Sequence, residues 1–348
     1  MPDPDKFLSV AVIQSKRSID PIIQELVIFI VGCIFTVLVC LFGIATNIIN
    51  IPIFRKLGYQ DGVNITLTAL AICDLGGLIF ELVYCVLLSP YIFEDDWVVS
   101  KIVIAYITGY TFEYFTRVSS VITAYAALER CLCVTWPLKV KSLITNKVSV
   151  VVNGSIFIVI SLYLFPVFYI MYIDWTYIPG QNRTMYVVYF NSKRGELFPI
   201  NYYLTDLLLP YSTFFVLITC CTTLFVKLKS KAKWRQLASS SYNKSSHVNR
   251  KELKCARMFM TVSFMCVVLL LPHSVLFTFT IFIRELTLGG AYNDLSRVFG
   301  TFTVFLKIIN SGFTIFIYYN MSTKYRLEFQ RMFAKFRTNT KLNREDYK

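Results

Sequence analysis

The 348-residue chain contains few charged residues, and this scarcity limits what kind of protein it can be. Only 16% of the residues are charged and 55% are hydrophobic, whereas soluble domains carry about 25% charged residues. Composition therefore excludes a disordered protein, a secreted disulfide scaffold and an ordinary soluble enzyme. The formal net charge of +14 indicates basic loops beside a membrane rather than nucleic-acid binding.

The sequence also lacks the patterns that carry enzyme chemistry. It has only two histidines, and we find no Gly-rich phosphate loop, nucleophile triad or metal-hydrolase spacing, so an enzyme is not expected. All ten cysteines lie in or beside apolar runs, which favours buried thiols over zinc or redox sites. Residues 1–25 lack the apolar segment of a cleavable signal peptide.

Seven apolar runs are each long enough to cross a bilayer, which requires about 20 apolar residues in a helix. These runs lie at about 26–53, 63–88, 102–133, 147–172, 202–228, 254–283 and 297–319. They predict an all-α membrane protein in which residues 26–319 form one seven-helix bundle. Three kinds of membrane protein stay open at this point: a receptor, a seven-span transporter and a pump.

The basic residues predict the orientation of the bundle. Most Lys and Arg residues follow the first, third, fifth and seventh runs, and cytoplasmic loops are enriched in these residues. We therefore predict a multi-pass plasma-membrane protein with residues 1–25 extracellular and residues 337–348 in the cytoplasm. Asn182 belongs to the one N-x-S/T sequon in an outer loop, so it is the expected glycosylation site.

Residues 320–336 follow the seventh run and carry aromatic and basic side chains at helical spacing. This pattern predicts a short amphipathic helix that lies on the inner leaflet in contact with membrane lipid.

Most of the spans contain a polar residue or a proline, and the order of these residues along the chain forms a pattern. They are Asn47 in the first, Asp74 in the second, Glu129-Arg130-Cys131 and then Pro137 at the end of the third, Pro210 in the fifth, Pro272 in the sixth, and Asn310-Ser311 with Tyr318 in the seventh. In this order they resemble the rhodopsin-like (class A) G-protein-coupled receptors over about residues 26–336. Within that family the chain looks closest to mollusc chemosensory-receptor-like proteins and invertebrate peptide receptors.

The resemblance implies a receptor that binds an extracellular small molecule or peptide in the outer half of the bundle and activates a heterotrimeric G protein. It implies roles in coupling and switching for Glu129, Arg130, Pro137 and Tyr318, and helix kinks at Pro210 and Pro272. Glu129 and Arg130 are expected to pair locally in the resting state, because an unpaired buried ion is costly. The basic segments 137–141, 227–233 and 250–257 are expected to flank the docking cleft.

Several family positions are changed in this chain. Cys131 ends the Glu-Arg motif, Leu270 replaces the sixth-span Trp, and Thr314-Ile315-Phe316-Ile317-Tyr318 replaces Asn-Pro-x-x-Tyr in the seventh span. Ala105 and the cysteine-free loop 173–201 stand where the family has its outer disulfide. We therefore expect a different anchor for this loop.

Asp74 lies deep in the second span, where an isolated carboxylate needs a proton, hydrogen bonds or a cation. Ser119, Asn310 and Ser311 are expected to supply oxygens around it. In the family this cluster holds a sodium ion, so a sodium site and a simple hydrogen-bonded network are both open. No other cofactor is expected.

Five more ionisable residues fall inside the spans, where such residues are rare and usually face the bundle interior. They are Glu81, Glu113, Arg117, Asp206 and Lys307. Glu113 and Arg117 share one face of the third helix, and Phe112, Thr116 and Ser120 are nearby. On the family architecture Arg117 is expected to pair with Asp206, and Glu81 with Lys307.

These residues predict a ligand pocket, although ion pairs that only fix helix register remain an alternative. Phe112 stands where the family's amine receptors have an acid, which disfavours a monoamine, while Glu113 favours a cationic peptide or odorant. An opsin-like light receptor is a second alternative. Its retinal lysine would stand at Ile308, however, and Lys307 is rotated from that position by about 100° on a helix. A transporter is disfavoured because the two halves show no internal repeat.

Overall fold

The computed structural model describes residues 19–60, 62–89, 97–136, 140, 144–179, 182–237, 246–287 and 290–345. In this part of the chain, seven helices are long and apolar enough to cross a membrane, which confirms the predicted seven-helix bundle. They are α1 (Pro21–Leu57), α2 (Gly62–Leu87), α3 (Lys101–Thr135), α4 (Asn146–Ile170), α5 (Arg194–Tyr202, Tyr203–Leu208 and Leu209–Leu237), α6 (Ser246–Phe282) and α7 (Asn293–Gly312 and Thr314–Met321). An eighth helix, α8 (Thr323–Glu345), follows α7.

Several helices extend beyond the predicted spans. The α5 helix begins at Arg194 instead of residue 202, α6 begins at Ser246 instead of 254, and α8 continues to Glu345 instead of ending at 336. Hydropathy marks only the part of a helix that is apolar enough to meet lipid. Lys, Arg, Glu and Gln are good helix formers, so α6 and α8 continue into the polar sequence beside their apolar parts.

The α5 helix has a wide turn whose cause lies in its sequence. Tyr203–Leu208 adopts π-helical geometry immediately before Leu209 and Pro210. Pro210 has no N–H to donate to the preceding turn, so the wide turn lies where the helix lacks a backbone hydrogen bond. In α6, Pro272 also lies inside the helix.

The α3 helix occupies the middle of the bundle and packs against α2, α4, α5 and α6. Large apolar side chains also face outward, and on α4 Ile158, Leu162 and Phe165 are each more than 60% exposed. A soluble protein rarely presents such a surface to water. Contact with lipid accounts for it.

A β-hairpin that the sequence analysis did not predict connects α4 to α5. Its strands, β1 (Met171–Ile178) and β2 (Arg183–Phe190), are antiparallel with Met171 opposite Phe190. We call this end of the bundle the hairpin end and the opposite end the α8 end.

The hairpin is joined to the start of α3 by backbone hydrogen bonds. The Tyr186 N–H donates to the Val98 carbonyl at 2.8 Å, and the Ser100 N–H donates to the Tyr186 carbonyl at 3.0 Å. The Ser100 hydroxyl in turn caps α3 by accepting from the Val103 N–H. None of the ten cysteines, all of which lie among the described residues, forms a disulfide. Backbone hydrogen bonds therefore anchor the hairpin to the start of α3.

Candidate functional site

Four charged side chains cross-link α3, α5 and α7 in the hairpin half of the bundle. Arg117 Nη2 lies 2.6 Å from Asp206 Oδ1, so the pair predicted between α3 and α5 is present. Lys307 Nζ donates to Glu113 Oε1 at 2.6 Å, and Arg117 Nη2 lies 3.7 Å from Glu113 Oε2. Two acids and two bases thus balance one another in a single network.

The predicted pair between Glu81 and Lys307 is wrong. Lys307 extends from α7 towards α3 and bonds to Glu113 instead. Glu81 is also buried, but its carboxylate accepts from the Cys85 thiol at 3.7 Å. The error arose because a small rotation of α7 decides whether Lys307 faces α2 or α3, and sequence spacing does not fix that rotation.

Glu113 is the most accessible member of the network. Its side chain is 22% exposed, compared with 11% for Arg117 and 4% for Lys307. His273 on α6 approaches the same carboxylate, with Nε2 3.8 Å from Glu113 Oε1, and its Nδ1 is 3.0 Å from the Thr303 hydroxyl. Sequence reasoning missed His273, and the only signal was its place directly after Pro272.

A small cavity of about 40 Å³ lies beside this network. Its lining includes most of the predicted pocket residues, together with His273. The predicted residues are Glu113, Thr116, Arg117, Asp206 and Lys307. Phe112 is not among them, because it is buried in a cluster with Leu78 and Ile308. The structure therefore brings the predicted pocket together apart from Phe112 and Glu81.

A much larger cavity, of about 590 Å³, opens at the α8 end. Arg130, Lys254 and Lys324 line it together with apolar side chains such as Met258. Lys254 comes from one of the basic segments that were expected to flank a docking cleft. Pro137 and most of segment 137–141 lie outside the described residues.

Glu129 and Arg130 form an ion pair within α3 at this end of the bundle. The Glu129 side chain is almost fully buried, and the Arg130 guanidinium lies 6.0 Å from the centre of the Phe259 ring on α6. Tyr318 is buried on α7 and packs edge-on against Phe54 of α1. The arginine is thus held against its own helix.

Asp74 sits between the two ends, with hydroxyl groups around it. The Ser119 hydroxyl donates to Asp74 Oδ1 at 2.8 Å, and the Ser311 hydroxyl interacts with the same carboxyl group. Asn310 is buried next to Ser311 on α7. A carboxylate with hydroxyl oxygens beside it is a donor set that suits a hard cation, so sodium fits this cluster and the sodium site stays a prediction.

Asn182 lies at the exposed tip of the hairpin. Its backbone has a positive φ of 49°, which asparagine adopts more readily than most residues, and its side-chain oxygen accepts from the Tyr177 hydroxyl. An exposed hairpin tip gives a glycosylating enzyme ready access, and the modification itself stays a prediction.

Residues 34–336 match the family described as the serpentine-type seven-transmembrane GPCR chemoreceptor Srw family. The chain belongs to this family. The receptor is also similar to the FMRFamide peptide receptor frpr-18 of Caenorhabditis elegans, with 28% identity over 315 residues that cover 85% of this chain and 67% of the relative. Both findings support the resemblance to invertebrate G-protein-coupled receptors, and they make this chain a multi-pass membrane receptor.

Proposed function

We propose that the receptor binds an extracellular cationic peptide at Glu113 and activates a heterotrimeric G protein through the cavity around Arg130. In this proposal the receptor resides in the plasma membrane with its N-terminus and hairpin outside and α8 on the inner leaflet. The peptide class is supported by the similarity to an FMRFamide receptor. That name spells a peptide with one arginine and an amidated, uncharged C-terminus.

The accessibility of Glu113 carries the proposal. The two cations of the network are less exposed than this acid, so a group that enters from the hairpin end meets a carboxylate first. A guanidinium or ammonium group would form a charge-assisted hydrogen bond with it. The network as a whole is neutral, so the exposed Glu113 carboxylate, rather than a net charge, favours a cationic ligand over an anionic one.

Ligand entry has to change the network. A cavity of about 40 Å³ is too small for a peptide side chain, and Lys307 already occupies one oxygen of Glu113. A ligand cation therefore competes with Lys307 and loosens the contact between α3 and α7. Such competition gives the ligand different affinities for two receptor states, which is the requirement for shifting their populations.

The test is a ligand screen in cells that express the receptor with a panel of G proteins, using FMRFamide-type peptides and small cationic odorants. Glu113→Gln is expected to lower peptide potency by at least about thirtyfold, the lower end of the cost of removing one partner of a buried charged contact. Glu196→Gln, at an exposed position near the start of α5, is the matched control and is expected to leave potency unchanged.

Unchanged potency in Glu113→Gln at matched surface expression would contradict the ligand assignment. Activation by odorants and not by peptides would replace the peptide class with a chemosensory one. Failure of every G protein in the panel to respond to a ligand that binds would contradict the coupling assignment.

A further inference from the structure

The α7 helix is interrupted although it lacks the proline that its family pattern contains. Its two segments, Asn293–Gly312 and Thr314–Met321, are separated by Phe313, whose φ of −98° and ψ of 0° are not helical. The Phe316 N–H donates to the Phe313 carbonyl, so the Gly312 carbonyl does not have its usual partner in the next turn.

Side chains of α1 satisfy the carbonyls at this interruption. The Thr46 hydroxyl lies 3.1 Å from the Gly312 carbonyl and shares its one proton between this carbonyl and that of Gly43 at 2.9 Å. Asn47 Nδ2 donates to the Ser311 carbonyl at 3.0 Å. The two helices can approach this closely because Gly312 faces Gly43, and a Cβ atom on Gly312 would lie 3.3 Å from the Gly43 Cα. An unpaired buried carbonyl would be costly, so α1 stabilises the break.

The same hydrogen-bonded chain continues to α8. Asn50 Nδ2 donates to Asn47 Oδ1 at 3.3 Å, and the Tyr325 hydroxyl donates to Asn50 Oδ1. Both asparagines are fully buried and Tyr325 is 1% exposed. The ring of Tyr325 lies in an apolar cluster with Phe54 and Tyr318.

The contact between Tyr325 and Asn50 exists only while α7 and α8 keep their observed positions against α1. Only Ser322 separates the second segment of α7, Thr314–Met321, from α8. A movement of this segment therefore also displaces the start of α8. A shift of either away from α1 would leave a hydroxyl and an amide oxygen without partners inside an apolar cluster, and each such group is expensive to bury. The bond therefore favours the observed arrangement over any arrangement in which α7 has moved.

We infer that Tyr325 is a positioning residue that, through its hydrogen bond to Asn50, holds Thr314–Met321 and α8 against α1 in the resting receptor. In this role the buried Tyr325–Asn50 hydrogen bond limits spontaneous activation. The inference rests on the proposed G-protein coupling only for its signalling readout.

Tyr325→Phe removes the hydroxyl and keeps the ring, which makes it the test variant. Tyr319→Phe is the control, because Tyr319 packs against Phe329 in the same region and takes no part in the chain of hydrogen bonds. Two quantities are measured: basal nucleotide exchange per surface receptor, and backbone hydrogen–deuterium exchange of residues 314–330 in the purified receptor in lipid nanodiscs.

Tyr325→Phe is expected to raise basal activity by about fivefold, the population shift that one net buried hydrogen bond supports. It should also speed deuterium exchange in residues 314–330, whereas Tyr319→Phe should change neither quantity. Asn50→Leu removes the same bond from α1 and should reproduce both effects if Tyr325→Phe is poorly expressed.

Fewer Tyr325→Phe receptors at the surface, with unchanged basal activity per receptor and unchanged deuterium exchange, would mean a structural role only and would overturn the inference. If the wild-type receptor activates no G protein, the proposed coupling fails separately. Deuterium exchange then decides the inference, with faster exchange supporting it and unchanged exchange overturning it.

Discussion

The two halves of the bundle are held together by different interactions. In the hairpin half, charged side chains join separate helices, since Arg117 reaches Asp206 on α5 and Lys307 on α7 reaches Glu113. In the α8 half, the ion pair between Glu129 and Arg130 lies within one helix, and the helices are joined by neutral hydrogen bonds and aromatic packing.

This difference indicates how a signal could cross the molecule. Ion pairs between helices fix helix positions in the hairpin half and offer charges for which a ligand can compete. The cavity at the α8 end has a volume of about 590 Å³, whereas the cavity beside the charged network has a volume of about 40 Å³. The hairpin half is suited to recognition and the α8 half to opening.

The largest effect is expected at Arg130. Under the proposed coupling, Arg130→Ala should abolish G-protein activation, because it removes the positive charge that lines the cavity at the α8 end. Ligand binding and surface expression should be largely retained, since the hairpin half is untouched. Nucleotide exchange measures G-protein activation, and ligand binding is measured on the same membranes. Arg326→Ala on α8 is the control. Undiminished signalling would remove the proposed role of Arg130.

Charge reversal in the hairpin half should have the next largest effect. Arg117→Asp or Asp206→Arg alone is expected to lower the free energy of unfolding by about 3–5 kcal/mol, because each change breaks the ion pair and leaves like charges facing each other away from water. The double exchange should recover part of this loss, but not all, since Asp at position 117 would also face Glu113. Ligand potency and thermal unfolding report the changes. Failure of the double exchange to improve on either single change would contradict a direct pair.

The cluster between the two halves should respond to sodium. If Asp74 holds sodium in the resting receptor, replacing potassium with sodium at constant ionic strength should stabilise that state by about 1 kcal/mol and lower agonist affinity accordingly. Asp74→Asn should abolish the difference. Equal agonist affinity in sodium and potassium would favour the hydrogen-bonded network without a bound ion.

The smallest effect is expected from reduction. Because backbone hydrogen bonds join Tyr186 to Val98 and Ser100, mild dithiothreitol should leave ligand affinity unchanged. A relative that carries the outer disulfide should lose affinity under the same conditions. Loss of binding in this receptor would show that a disulfide contributes to its hairpin end after all.

The sequence was sufficient for those features that depend on composition or on a single helix. Long apolar runs predicted the seven helices, and the four-residue spacing of Glu113 and Arg117 placed both on one face of α3. The relative rotation of helices depends on the packing of the whole bundle, so the partner of Lys307 was assigned wrongly. The role of His273 beside Glu113 was missed for the same reason.

The β-hairpin left a signal in the sequence, whereas the hydrogen bond between Asn50 and Tyr325 left none. The segments of β1 and β2 are rich in aromatic and β-branched residues around a Pro-Gly turn, a pattern that favours a hairpin. Asn50 and Tyr325 are distant in sequence, and only the fold shows that a polar group on α1 faces the hydroxyl of α8. Long-range polar pairs of this kind cannot be read from periodicity.

The most direct test is a double-mutant cycle in which one change removes the charge of Glu113 and the other removes the positive charge of the ligand. An active arginine-containing peptide is compared with the same peptide in which citrulline, a neutral isostere, replaces arginine, on both the wild-type receptor and Glu113→Gln. If the guanidinium binds Glu113, citrulline should weaken binding by at least about thirtyfold in the wild type and very little in Glu113→Gln. Equal losses in both receptors would contradict the assignment of Glu113 as the site of the ligand's charge.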